Sequence, residues 1–182
     1  MRGDLLRELL LPALPRGTLL PPVERAARLV SALPAIEATL AGETEEIAVL
    51  ATLASLLFHT LPQTSWCGFY RRTAEQLLTV GPYQGPVGCL RIPFDRGVCG
   101  ACARERRPFL VPDVHAFPDH IACDEATRSE LVLPILAGGS LRAVLDLDSH
   151  HANAFSEEEA QILAELLDRI APRVHWGFSF LS

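Results

Sequence analysis

Apolar residues recur at helical spacing towards both ends of the chain. In the first third, Thr44 is predicted to cap a helix with an acidic first turn, and this helix is expected to end before Pro62. Towards the C-terminus, segment 156–159 (Ser-Glu-Glu-Glu) fits a capping box, in which the serine and the last glutamate exchange hydrogen bonds with backbone amides. A shorter helix is predicted over residues 23–33 and is expected to break at Pro34.

The middle of the chain instead alternates short apolar runs with turn residues, a pattern typical of β-strands. The predicted strands cover residues 65–71, 76–80, 87–93, 109–111, 130–136 and 141–147. A helix is predicted over residues 97–107 and a long polar loop over 112–128, and loops longer than about 12 residues are often functional. Hairpin-connected strands between terminal helices predict an α+β domain, in which helices from the N- and C-terminal parts cover a central antiparallel sheet.

The length of 182 residues fits one domain with an added N-terminal segment. We expect an N-terminal arm with a short helix over 1–43, a domain over 44–175 and a C-terminal tail over 176–182. The net charge of −6, with no basic stripe, argues against nucleic acid and anionic membranes as partners. No apolar run reaches the roughly 18 residues of a membrane span. The leucine-rich start is interrupted by charges, unlike a secretory signal, so the predicted location is cytoplasmic.

Five cysteines carry the candidate chemistry, and their odd number argues against a full disulfide framework. Cys99 lies at the start of the predicted helix, where unpaired amides and the helix dipole favour a thiolate. Cys123 lies on the polar loop, where a thiol is accessible, and Cys89 ends or interrupts a strand. Cys67, on an apolar strand, fits core packing, and Cys102 fits packing between the helix and the sheet.

Two other arrangements of these cysteines compete with nucleophilic chemistry. The pair Cys99-x-x-Cys102, followed by His120-x-x-Cys123, has the spacing of a zinc site with four ligands. The Cys-Gly-Ala-Cys segment also resembles the dithiol of thioredoxin-like proteins, but that motif normally follows a strand in a βαβ unit. The spacing alone leaves these alternatives open.

Carboxylates and aromatic residues share faces of the predicted strands. Asp146 and Asp148 are two residues apart on one strand and therefore point to the same side, and Glu130 opens its hairpin partner. Such a cluster is either a solvated strand end or a pocket wall that binds an ammonium group or holds a proton. Trp66 and Tyr70, four residues apart, either belong to the core or cage a small cationic or methyl-bearing ligand.

Seven segments taken together resemble the free methionine-(R)-sulfoxide reductases, which are built on a GAF domain. The segments are Trp-Cys-Gly-Phe-Tyr (66–70), Gly-Pro-Tyr-Gln-Gly (81–85) followed by Cys89, Gly-Val-Cys-Gly (97–100), Val-Pro-Asp-Val (111–114), His-Ile-Ala-Cys-Asp (120–124), Ser-Glu-Leu-Val-Leu-Pro-Ile (129–135) and Leu-Asp-Leu-Asp-Ser (145–149). The resemblance covers roughly residues 44 to 172. It implies a GAF-type fold and the reduction of free L-methionine (R)-sulfoxide to methionine.

The resemblance also implies roles for individual residues. Cys123 matches the catalytic cysteine, and Cys89 and Cys99 match the two cysteines able to resolve the oxidised intermediate, with Cys89 expected to be the partner. Trp66 and Tyr70 match aromatic pocket residues, with Trp66 near the substrate methyl group. The acidic residues around the substrate amine and the sulfoxide oxygen are matched by Glu130, Asp146 and Asp148.

In the implied cycle, Cys123 becomes a sulfenic acid, a second thiol converts it to a disulfide, and thioredoxin or a similar dithiol restores the thiols. No metal or other cofactor is expected, because a metal holding Cys99 and Cys123 would block this cycle. The resemblance further implies a homodimer. The competing functions are a non-catalytic GAF sensor that reports through its terminal helices and a zinc-binding module.

Overall fold

The computed structural model describes residues 12–119 and 123–177 of the chain. In these ranges the helices are α1 (Pro22–Thr39), α2 (Glu46–Thr60), α3 (Gly97–Glu105) and α4 (Glu157–Ile170). The strands are β1 (Trp66–Ala74), β2 (Leu77–Gln84), β3 (Arg91–Pro93), β4 (Phe109–Val111), β5 (Ser129–Ala137) and β6 (Ser140–Ser149). No helix in the described ranges is both long enough and apolar enough to cross a bilayer.

The six strands form one sheet in the order β3-β2-β1-β6-β5-β4, and every neighbouring pair is antiparallel. This confirms the predicted α+β class with a central antiparallel sheet. Strands β5 and β6 are joined by a tight turn in which Gly138 and Gly139 both have positive φ, at 59° and 76°. Consecutive positive φ values match the twist that a two-residue hairpin loop needs, and glycine adopts them without a steric penalty.

One face of the sheet packs against α1, α2 and α4 to form the larger hydrophobic core. The alternation of the central strands places Leu131 and Leu133 of β5 beside Leu145 and Leu147 of β6 on this face. All four side chains are fully buried. The apolar stripes of the three helices cover them, so the helical periodicity in the sequence identifies the faces that meet the sheet.

The opposite face carries a smaller core, which α3 covers. Val132 and Val144, on the same two strands, point to this side and pack near Val98 and Cys102 of α3. Cys67 lies in the larger core and Cys102 in the smaller one, and both are fully buried. The core-packing interpretation of these two thiols is therefore confirmed.

Helix α1 is longer than predicted, because it continues through Pro34 to Thr39. A proline inside a helix removes one backbone hydrogen bond, which is tolerable where that position faces solvent. Pro34 is exposed, whereas Leu29 and Ile36 on the other side of the helix are buried in the larger core. Burial of that apolar face holds the helix together across the proline, so the predicted break was wrong.

Two further predicted boundaries also differ from the structure. Glu45, not Thr44, caps α2, because its side chain accepts a hydrogen bond from the Ala48 amide at 2.7 Å. Strand β3 begins only at Arg91, so Cys89 lies in the connection between β2 and β3 rather than on a strand. The capping box at the start of α4 is confirmed, since Ser156 accepts from the amide of residue 159.

Candidate active site

Strand register brings the predicted acidic and aromatic residues together on the face beneath α3. Across β1, β6 and β5, Trp66 is the partner of Asp148, and Asp148 is the partner of Glu130. One step further along the strands on the same face, Asp146 is the partner of Gly68. Residues far apart in the sequence thus form two adjacent rows, because side chains two apart on a strand point to the same side.

These rows form the floor of a cavity that opens to solvent. Seven of the eight predicted site residues line it: Trp66, Tyr70, Cys99, Cys123, Glu130, Asp146 and Asp148. The eighth, Cys89, is joined to the cavity wall through a disulfide bond to Cys123. The structure therefore brings the whole predicted set to one place.

Two aromatic rings, those of Trp66 and Tyr70, line one wall, and the ring of Tyr83 stacks on Trp66. The Trp66 ring lies 5.5 Å from that of Tyr70 and 5.2 Å from that of Tyr83, with interplanar angles of 21° and 17°. Gly68 makes the stack possible, because a Cβ atom there would lie 2.6 Å from the Trp66 ring and 2.3 Å from Tyr83 Cβ. The indole Nε1 donates a hydrogen bond to the Pro86 carbonyl at 3.2 Å, which ties the β2–β3 connection to this wall. Sequence reasoning had given Tyr83 no role, although it lies in the quoted segment 81–85.

The disulfide joins two connections that frame the cavity. Cys89 lies between β2 and β3, and Cys123 lies in the loop before β5, 34 residues further along the chain. Their Cα atoms are 5.4 Å apart, within the range that a disulfide spans. Both residues are partly exposed.

Cys99 differs from the sequence-based expectation. Its thiol is 3% exposed and donates a hydrogen bond to Glu130 Oε1 at 3.9 Å. Burial, together with the carboxyls of Asp146 and Glu130, raises the pKa of Cys99 well above its usual range. The expected thiolate at this helix start was therefore wrong, because desolvation and the nearby acids outweigh the helix dipole.

Among the described residues, the ligands of the alternative zinc arrangement are not gathered. Cys123 is bonded to Cys89, and Cys102 is fully buried in the smaller core and does not line the cavity. His120, the remaining ligand, lies outside the described residues. The dithiol interpretation of Cys99 and Cys102 meets the same obstacle, since a fully buried Cys102 is inaccessible to a partner.

The three carboxyls of the cavity hold protons more tightly than free carboxylic acids. Burial is the main cause and raises the pKa of Asp146 to about 7, against hydrogen bonds from Cys99 and Glu130. Burial and the neighbouring Asp146 raise the pKa of Glu130, and the same two causes raise that of Asp148. Asp146 Oδ1 is buried without a hydrogen-bond partner among the described residues. The cluster can therefore both release a proton and accept a hydrogen bond from a cationic group.

The cavity lining also includes Asp124 and Thr127, two residues to which the sequence analysis gave no role. Asp124 directly follows Cys123 in the chain, and Thr127 is four residues beyond Cys123. Asp124 accepts hydrogen bonds from the Ala126 amide at 2.9 Å and from His150 Nε2 at 2.9 Å. These two contacts lower its pKa. Thr127, also in the wall, is buried. The position of Asp124 directly after Cys123 was the signal available in the sequence, whereas His150 comes close only through the fold.

Comparisons with known proteins agree with this architecture. The GAF domain family model matches residues 45–174. Protein YtsP of Bacillus subtilis is 43% identical over 136 residues, covering 74% of this chain and 83% of that protein. Free methionine-R-sulfoxide reductase of Escherichia coli is 41% identical over 133 residues, covering 73% of this chain and 80% of that protein.

A solved structure extends the agreement to three dimensions. The X-ray structure of free methionine-R-sulfoxide reductase from Neisseria meningitidis in complex with its substrate matches with a TM-score of 0.78 at 38% identity. The match covers 88% of this chain and 94% of that one. The predicted GAF-type fold is confirmed. The chain belongs to the GAF domain family and, within it, to the free methionine-R-sulfoxide reductases.

Proposed function

We propose that this protein reduces free L-methionine (R)-sulfoxide to L-methionine by thiol chemistry. The observation that carries the proposal is the Cys89–Cys123 disulfide, which borders a cavity with an aromatic wall and three carboxyls of raised pKa. Thiols supply electrons, carboxyls supply a proton, and an aromatic face suits a methyl group on sulfur. These are the three requirements for reducing a small sulfoxide. The E. coli and N. meningitidis relatives are named for this reaction.

The cavity is suited to a free amino acid. The substrate ammonium group pairs with Asp146, whose Oδ1 lacks a hydrogen-bond partner among the described residues. The methyl group on sulfur lies against Trp66, in the aromatic wall. A peptide-bound methionine sulfoxide has no free ammonium group, so the Asp146 contact selects the free amino acid.

The reaction proceeds in two chemical steps. The Cys123 thiolate attacks the sulfoxide sulfur while a carboxyl of Glu130 or Asp148 protonates the sulfoxide oxygen, and methionine leaves as Cys123 becomes a sulfenic acid. The Cys89 thiol then attacks the Cys123 sulfur, and the hydroxyl leaves as water to form the disulfide. The two thiols together provide two electrons, which balance the reduction of one sulfoxide to one thioether and one water.

A protein dithiol such as thioredoxin then reduces the disulfide by exchange. Val87 and Leu90, on either side of Cys89, are 79% and 70% exposed and offer an apolar surface for that partner beside the disulfide. The resemblance further implies a homodimer. The cytoplasmic location and the domain bounds of 44–175 stay predictions from the sequence.

Methionine release from each diastereomer of free methionine sulfoxide tests the function. With a dithiol reductant present, we expect release from the R form and none from the S form. N-acetylmethionine (R)-sulfoxide, which lacks the ammonium group, is the matched control and should be a far poorer substrate. Folded, reduced protein that releases methionine from neither diastereomer would contradict the proposal.

The Cys89–Cys123 bond supports Cys89 as the resolving cysteine, and a Cys89→Ser variant tests this role. The first turnover should release one methionine per protein at the wild-type rate, because Cys123 is intact. Turnover with thioredoxin should then stop, since no disulfide forms. Rapid-quench and steady-state assays measure the two phases, and Cys67→Ala, which removes a thiol from the larger core, is the control. Steady turnover in Cys89→Ser that disappears on adding Cys99→Ser would move the role to Cys99.

A further inference from the structure

We propose that the floor of the cavity also binds a thiophilic divalent cation such as Zn²⁺, held by Cys99, Glu130 and Asp146, and that this cation inhibits the enzyme. The inhibitory consequence rests on the proposed function, whereas the binding site itself does not. The ligands differ from the Cys/His set that the sequence spacing suggests, since only Cys99 is common to both.

The geometry of the three side chains matches a shared ion. One donor atom from each residue lies within 4.8 Å of the other two, and Cys99 Sγ lies 3.9 Å from Glu130 Oε1. Zinc binds sulfur at about 2.3 Å and carboxylate oxygen at about 2.0–2.2 Å, so two tetrahedral ligands of one ion lie about 3.5 Å apart. Small side-chain rotations are therefore enough to close the site.

The donors are fixed by three different elements of the fold. Cys99 comes from α3, Glu130 from β5 and Asp146 from β6, and all three are buried. The site is thus built into the core of the domain, unlike an acidic cluster on a surface loop. One thiolate with two carboxylates suits zinc, whereas Mg²⁺ and Ca²⁺ prefer oxygen ligands alone.

An independent observation also points to a cation at this place. Asp146 is 5% exposed, and its Oδ1 has no hydrogen-bond partner in the part of the chain that the structure describes. Buried polar atoms normally have partners, and an exception calls for an explanation. The acceptor lines the cavity beside the other two ligands, where either the substrate ammonium group or a metal ion would satisfy it.

Binding is an exchange of protons for metal and needs no oxidant or reductant. The cation displaces the thiol proton of Cys99 and the protons held by the two carboxyls, and its fourth position faces the cavity. It occupies the carboxyls that the proposed reaction uses for the substrate ammonium group and for proton transfer. The cation and the substrate therefore compete. Neither Cys89 nor Cys123 is a ligand, so the disulfide form should bind the cation as well as the reduced form does.

Cobalt titration of the metal-free disulfide form, without added thiol, tests the site. We expect a thiolate-to-Co²⁺ charge-transfer band and the visible bands of tetrahedral cobalt at one ion per chain, both removed by Zn²⁺. Cys99→Ala should lose the charge-transfer band. Cys102→Ala, changed one turn further along the same helix, should keep it. No band in the wild type, or an unchanged band in Cys99→Ala, would overturn the inference.

An activity assay separates this inference from the proposed function. Zn²⁺ should raise the apparent KM for methionine sulfoxide in proportion to its free concentration, leave kcat unchanged, and be reversed by a chelator. Cobalt binding through Cys99 in a protein without reductase activity would contradict the function and leave the site in place. An active enzyme that shows no cobalt band and no effect of Zn²⁺ on KM would contradict the site alone.

Discussion

Replacing Cys123 with serine is expected to abolish methionine release in both the first and later turnovers, while the fold is retained. Cys123 is the partly exposed cysteine of the cavity lining, and we expect it to meet the substrate sulfur once its disulfide is reduced. A serine hydroxyl is rarely ionised at neutral pH and is a poor nucleophile towards sulfur. Loss of a covalent nucleophile costs on the order of 10⁶-fold in rate. We therefore expect a signal indistinguishable from that of the reaction without protein.

The matched control is Cys102→Ala, which also removes one thiol, but one that is buried in the smaller core and does not line the cavity. Its activity should survive, and the thermal unfolding curves of both variants should show cooperative transitions. Cys99 does not replace Cys123 as the nucleophile, because its thiol is buried and its raised pKa keeps it protonated. Robust turnover by Cys123→Ser would contradict the proposed mechanism at its first step.

Replacing Glu130 with glutamine is expected to lower kcat by roughly 10²- to 10⁴-fold, the contribution typical of a positioned proton donor. Burial and the neighbouring carboxyls raise the pKa of Glu130, which extends to higher pH the range over which this carboxyl holds a proton. Protonation of the leaving oxygen requires the protonated form. The wild-type kcat should accordingly fall as the pH rises through the raised pKa of Glu130. Stopped-flow or steady-state rates across a pH series measure both effects.

Asp148→Asn is the parallel variant. Asp148 is the partner of Glu130 on the neighbouring strand, and its pKa is raised as well. The carboxyl whose replacement removes the alkaline fall of kcat is the proton donor. Asp146→Asn should raise KM instead, because it removes the charge that pairs with the ammonium group. In the wild type, KM should rise as the pH falls below about 7, where Asp146 becomes protonated. Unchanged kcat in both Glu130→Gln and Asp148→Asn would show that another group supplies the proton.

Much of the fold follows from short-range patterns. The alternation in β5 puts Leu131 and Leu133 on one face and Glu130 and Val132 on the other, and the structure keeps that division. Alternation with a period of two predicts a strand with two different faces, and both faces of this sheet are covered. The same alternation in β6 places Asp146 and Asp148 together on the face beneath α3, where they line the cavity.

The errors arise where a tertiary contact outweighs a local preference. Pro34 signals a helix break, yet burial of Leu29 and Ile36 carries α1 through it. A helix start favours the thiolate of Cys99, yet burial beside Asp146 and Glu130 keeps the thiol protonated. In both cases the local sequence reveals only the weaker of two opposing effects, because the stronger effect comes from neighbours that are distant in the chain.

The sequence by itself determined the order of the strands and most helices, that Asp146 and Asp148 share one face of a strand, and which residues resemble a reductase site. Only the tertiary structure decided that Cys123 lies within bonding distance of Cys89, that Tyr83 completes the aromatic stack, and that Cys99 is buried against two carboxyls. The physical reason is the separation along the chain between the residues that interact. Hydrophobic periodicity depends on residues a few positions apart, whereas disulfides, ring stacking and pKa values depend on atoms within a few ångströms that the folded chain brings together from distant positions.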